Sequence, residues 1–130
     1  MDKATALRLV GALRIADKEW LEPQATRDGF WVGRNGFSEL HYDGKTLTFV
    51  VAPIGFPYLA EPTKQDREQA ASRFEARKAR LGGARLDIAK LRSQKNKWFL
   101  LLCIDFADVT DKDFVAAIAK ARKLGVAWRK

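Results

Sequence analysis

A chain of 130 residues with 47% apolar residues, four Trp and eight Phe has the length for one domain and too much apolar content to stay disordered. Its single cysteine, Cys103, excludes an intrachain disulfide and a thiolate metal cage, and no apolar run approaches the ~20 residues of a membrane span. The net charge of +8 is lopsided: residues 1–61 hold seven Lys/Arg against eight Asp/Glu, whereas residues 62–130 hold seventeen against eight. That asymmetry points to a polyanionic partner such as nucleic acid (DNA or RNA), an acidic protein surface or anionic lipid, of which the first two are expected here. Charges run throughout the N-terminal stretch and leave no signal-peptide core, so a cytoplasmic protein is expected.

In chain order, residues 3–21 read as a helix with Asp2 as N-cap. Ala6, Leu9, Val10, Leu13, Ala16 and Trp20 recur on one face, and Glu22-Pro23 ends it. Asn35-Gly36 and Asp43-Gly44 are hairpin signals of the type I′ kind. They imply three antiparallel strands over about 29–33, 37–42 and 45–53, with Leu47, Phe49 and Val51 on one face and Pro53, Gly55 and Pro57 stopping the sheet.

From Thr63 onward the pattern is helical with a break. One ideal helix through residue 92 would bury Lys78, Arg85 and Arg92 beside Phe74 and Leu81, a costly placement for unpaired charges. Gly82-Gly83 relieves this by ending the first helix in a left-handed cap. A second helix over about 84–93 is then expected to bury Ala84, Ile88 and Leu91. "KWFLLLCIDF" (97–106) has the near-continuous apolar character of a central strand covered on both faces. Thr110 and Asp113 stand at capping-box spacing ahead of a helix over about 111–123, and "VAWRK" suggests a short last strand.

The expected fold is therefore a single α+β domain over 1–130, of order αβββααβαβ. In topology alone, this order resembles the core of restriction-endonuclease-like nucleases. The resemblance implies an acid on the second strand and an acid-x-Lys pair on the third, converging on a metal. Glu39, Asp43 and Lys45 are the nearest residues, but Asp43-Gly44 is accounted for by the turn and "TLTFVVA" holds no acid. A Tyr42, His41 and Lys97 set fails because neighbours on a strand point to opposite faces. Asp105, near the end of the apolar strand, is the one other carboxylate worth testing, with Asp108 shaping the following loop. No cofactor motif and no assembled catalytic or metal site is read from the sequence, and Cys103 is expected to be an inert core thiol.

What remains is charge. Residues 76–97 hold eight cations against one anion, Asp87. On an ideal helix Arg73, Arg77 and Arg80 fall within about 60° of arc and form a cationic ridge. Lys90, Arg92, Lys95 and Lys97 extend it, and Trp31 offers a stacking surface for unpaired bases. Arginine forks suit phosphate or carboxylate. The expectation is a small basic nucleic-acid-binding accessory protein contacting mainly the phosphate backbone, with little sequence discrimination. The alternative is a protein-directed inhibitor or adaptor that sets the Arg ridge against an acidic partner; a nuclease-like enzyme is the third possibility.

Overall fold

The computed structural model describes residues 1–35, 38–54 and 60–129, apart from the side chains of Ala52 and Arg129. It is α+β: α1 (Lys3–Ala16), β1 (Gln24–Ala25), β2 (Phe30–Gly33), β3 (Glu39–Tyr42), β4 (Leu47–Pro53), α2 (Lys64–Arg77), β5 (Arg85–Lys90), β6 (Trp98–Phe106), α3 (Asp111–Ala121) and α4 (Leu124–Arg129). The strands form one sheet in the order β1-β2-β3-β4-β6-β5. Every neighbouring pair is antiparallel.

Strand alternation divides the sheet into two unlike faces. One carries Phe30, Val32, Leu40, Tyr42, Leu47, Phe49, Val51 and Leu102 into a core with Ala6, Leu9, Val10 and Leu13 of α1, Phe74 of α2, Phe114 and Ile118 of α3, and Trp128 of α4. All four helices pack on this side. Burying each large side chain there contributes about 1.5–3 kcal/mol. The other face has only a small apolar cluster of Val50, Leu91, Phe99, Leu101 and Cys103.

Several expectations hold locally. Asp2 caps α1 by accepting from the Thr5 amide. Thr63 and Asp66 form a full capping box at α2, and Thr110 accepts from the Asp113 amide at α3. Gly82 (φ 58°) and Gly83 (φ 82°) both take the left-handed conformation, which lets the chain reverse after Leu81 without a Cβ clash. The strands over 29–33, 37–42 and 45–53 appear with slightly trimmed ends, while Gly36, Phe37, Gly55 and Pro57 lie outside the described residues.

Four expectations are corrected. Residues 84–93 are not a helix: Arg85–Lys90 is the edge strand β5, paired with β6 from Arg85↔Cys103 to Lys90↔Trp98. The physical reason is β6, whose two edges both need hydrogen-bond partners; β4 fills one and the RLDIAK segment fills the other. The "VAWRK" end is not a strand but lies in the short helix α4, whose buried Trp128 packs into the helix-side core. The first helix stops at Ala16, not at 21, because Asp17 turns extended (φ −140°, ψ 104°). Its carboxylate is taken up by Arg34, Arg122 and the Glu19 amide. Trp20 still enters the core, but from an extended segment bridged to Arg34 and edge-on to Phe49. Finally, the β3–β4 turn is not type I′: only Gly44 (φ 96°) has positive φ, and Asp43 accepts from the Lys45 and Thr46 amides.

The candidate cationic interface

The connection between β5 and β6, residues 91–97, does not make a tight hairpin. It folds back as a strap over the less covered face of the sheet. Leu91 is buried against Val50, Phe99, Leu101 and Cys103. Beyond it the strap reaches β3, three strand spacings or about 14 Å from β5. Its anchor is Glu39, the only charged or polar residue among the described residues that is fully buried. Glu39 Oε1 accepts from the Arg92 amide at 2.9 Å, and Oε2 accepts from the Ser93 amide at 2.9 Å. Ser93 Oγ also donates to Oε2, and His41 Nε2 lies 2.8 Å from Oε1.

Burial alone would raise the Glu39 carboxyl, but these bonds from His41, Ser93 and the strap amides outweigh it and hold the group below its ordinary value. A buried carboxylate with every oxygen bonded fixes the strap's backbone. The strap's side chains are left outside: Lys90, Arg92, Lys95 and Lys97 are all exposed. No carboxylate stands within 4 Å of any of the four among the described residues. Lys90 Nζ lies 5.2 Å from the centre of the Trp98 ring, which steadies it at the foot of the strap.

Between strap and sheet lies a hollow of about 220 Å³. Its floor is Val50, Ala89, Leu101 and Cys103, Arg92 stands on its strap side, and Lys90 borders it while its side chain alternates to the opposite face, beside Trp98. Opposite them, Arg85 bonds Asp105 through two nitrogens, at 2.8 and 3.1 Å, and lies 3.7 Å from Asp87. Thr48 donates to the same Asp105 carboxylate at 2.6 Å. The Arg85 bond pulls the Asp105 carboxyl below its usual range, and burial pushes the Cys103 thiol up to about 12. Cys103 is therefore an unreactive part of the floor.

The seven cations singled out in the sequence separate into two groups. Arg73 and Arg77 lie on the helix side, where their guanidinium carbons sit 5.5 and 5.0 Å from the centre of the Trp128 ring. Arg77 Nε also donates to the Trp128 carbonyl at 2.9 Å and its Nη1 to the Arg73 carbonyl at 3.2 Å. The α-helix ends at Arg77 and tightens to a 3-10 turn over Lys78–Arg80, so the regular 100° step behind the ridge does not run through Arg80. The ridge is thus partly turned onto α4, while Lys90, Arg92, Lys95 and Lys97 form a second group on and beside the strap.

Trp31 is half-buried on the strap's face of the sheet and pairs across with His41. Tyr42 points the other way, into the helix-side core, and donates to the Met1 carbonyl. Among the described residues no three His, Cys, Asp or Glu side chains gather to hold a metal. Glu39, Asp43 and Asp105 are separately engaged, by the strap, the turn and Arg85. The roles of Glu39 and Arg85 were not legible beforehand: the strap amides lie 53 and 54 residues from Glu39, and Asp105 lies 20 residues from Arg85. The sole signal was the lack of any acid between Asp87 and Asp105.

No helix among the described residues is long and apolar enough to cross a membrane. Comparison of the chain with protein-family models, with characterised proteins and with solved structures finds no match.

Proposed function

We propose that this chain is a nucleic-acid-binding accessory protein whose strap contacts the phosphate backbone with little sequence discrimination. One observation carries the proposal: four cations stand on and beside a strap whose Arg92 and Ser93 amides are fixed by Glu39, with no carboxylate within 4 Å among the described residues. Preorganised cations lose little freedom on binding, and neutralising phosphates releases counterions. Arg73, Lys78 and Arg80 add charge on the helix side, at longer range.

The test is a salt titration with a labelled 20-nucleotide DNA and its RNA counterpart. Affinity is expected to fall steeply between 50 and 200 mM salt, with a log–log slope of about −0.9 for each phosphate neutralised on a duplex and −0.7 on a single strand. Reversing Arg92, Lys95 and Lys97 together to Glu is expected to abolish binding on every sequence tried. Binding insensitive to salt, or unchanged in that variant, sinks the proposal.

A second reading, a protein-directed inhibitor or adaptor, is favoured by the outward stripe of α1. Leu7 and Ile15 are 40% and 77% exposed there, with Gly11 between them. Stoichiometric capture of a protein that survives nuclease treatment and is lost in Ile15→Asp supports that reading over the first.

A further inference from the structure

The sheet face beneath the strap is open to more than phosphates, and we infer that it receives unpaired bases, so that the ligand is single-stranded rather than duplex nucleic acid. The inference rests on the nucleic-acid reading above and narrows it to a substrate class.

Three observations bear on it. First, none of the four helices stands on this face; all pack on the other. Reading the major groove of a duplex takes an inserted helix or two-stranded ribbon, whereas a broad sheet surface can present its side chains to separated bases. Second, the face carries flat and apolar surfaces beside the cations. A cross-strand row runs Trp31, His41, Thr48, Asp105, one residue from each of four adjacent strands. The Trp31 ring lies back along its own strand, since a Cβ at Gly33 would stand 3.1 Å from Trp31 Cζ3. That posture spreads the indole along the sheet instead of pointing it straight out. The neighbouring floor of Val50, Ala89, Leu101 and Cys103 is apolar.

Third, the hollows come as a pair. The hollow of about 220 Å³ adjoins one of about 130 Å³, and His41, Asp43 and Arg92 line both. Arg92 therefore stands between two recesses, a position suited to the phosphate that joins two neighbouring nucleotides whose bases enter on either side. The carboxylates near the hollows do not oppose such a ligand equally. Glu39 is covered by the strap, Asp105 and Asp87 are matched by Arg85, and Asp43 is committed to its turn, whereas Asp28 lines the smaller hollow beside Arg27 with no cation within 4 Å among the described residues. Arg92 and the Arg27 that lines the smaller hollow lack carboxylate partners within 4 Å among the described residues. Charge and stacking surface together are the recognition chemistry of a single strand.

The test compares oligothymidylate and oligouridylate of 20 nucleotides with a 20-base-pair duplex, by fluorescence anisotropy at one salt concentration. Single strands are expected to bind at least tenfold tighter than the duplex. Trp31→Ala is expected to weaken single-strand binding about 5- to 150-fold, the equivalent of about 1–3 kcal/mol for one stacked base, and to leave duplex binding unchanged. Trp31→Phe is expected to restore most of the loss, which guards against a mere folding defect. Intrinsic tryptophan emission is expected to be quenched on binding in the wild type and less so in Trp31→Phe.

Equal or tighter duplex binding overturns the inference, as does a Trp31→Ala effect that is absent or the same on both ligands. Duplex binding with a steep salt slope in those cases leaves the proposed function standing. Failure of every nucleic acid to bind removes both. Polyglutamate bound as tightly as the single strands assigns the face to acidic protein and overturns the inference as well.

Discussion

Two stretches of this chain look alike on paper and behave differently in the fold. Residues 73–80 and 90–97 each hold four cations, within eight residues of sequence. In the first, backbone needs are met by the helix itself, and two guanidinium groups turn onto Trp128, holding α4 against α2. In the second there is no regular structure to satisfy the strap amides, so a carboxylate from β3 does it and the cationic side chains stay outside. What decides whether a basic run is structural glue or free charge is which part of it, side chain or main chain, the rest of the molecule engages. A charge count is blind to that distinction.

The contrast is broken most severely at Glu39. Glu39→Ala removes the acceptor for two strap amides, a hydroxyl and an imidazole, and is expected to cost about 3 kcal/mol, a fall in Tm on the order of 10 °C. Hydrogen exchange at the Arg92 and Ser93 amides is expected to lose most of its protection. Protection that persists at those two amides would mean that the strap is held by Leu91 alone, and the division between the two regions would lose its basis.

How much of this was visible in advance follows from the range of each interaction. The caps at Asp2, Thr63 and Thr110, the diglycine reversal and the three meander strands depend on residues a few positions apart, and the sequence pattern carries them. The strand identity of Arg85–Lys90 depends on an unpaired edge of β6, and its alternation of Leu86 and Ile88 is short enough to be read as part of a helix. The strap depends on Glu39, 53 residues from the amide of Arg92, and a lone acid on a strand carries no local sign of its partners. The attachment of Arg77 to Trp128 spans 51 residues and was equally hidden. In this chain, local chemistry carried the caps, the diglycine reversal and the meander strands, and only the assembled sheet made β5 a strand and separated the cations.

On the helix side the expected effects are smaller. Arg77→Ala loses one bond to the Trp128 carbonyl and the guanidinium from the indole face, and is expected to lower stability by about 1–2 kcal/mol, read from the urea midpoint. Arg77→Lys keeps the charge without the planar fork and is expected to recover less than half of that. Nucleic-acid affinity, corrected for folding, is expected to change far less than in Arg92→Ala. The reverse ranking would place the binding surface on α2 and α4 instead of the strap.

The smallest expected effect is a pH-dependent one, again at Glu39. Its carboxyl lies below the ordinary 4.5 in the folded chain, so the folded state binds its proton less readily than the unfolded state. The stabilisation this brings is complete above the ordinary value and is lost as pH falls below 4.5 through the folded value. Asp105, Asp17 and Asp43 are also held low, but from 3.8, and so lose their share further into acid. Glu39→Gln removes one of these contributions and leaves the rest, that of the α1 cap Asp2 included. The wild type is therefore expected to be the more stable of the two near neutrality, because a glutamine NH₂ facing the strap amides sets donor against donor. That gap is expected to close as urea midpoints are followed from pH 7 down to about 3. A gap that stays constant across that range would mean that Glu39 holds the strap by shape rather than by charge, and the strap would then be expected to keep its grip in acid.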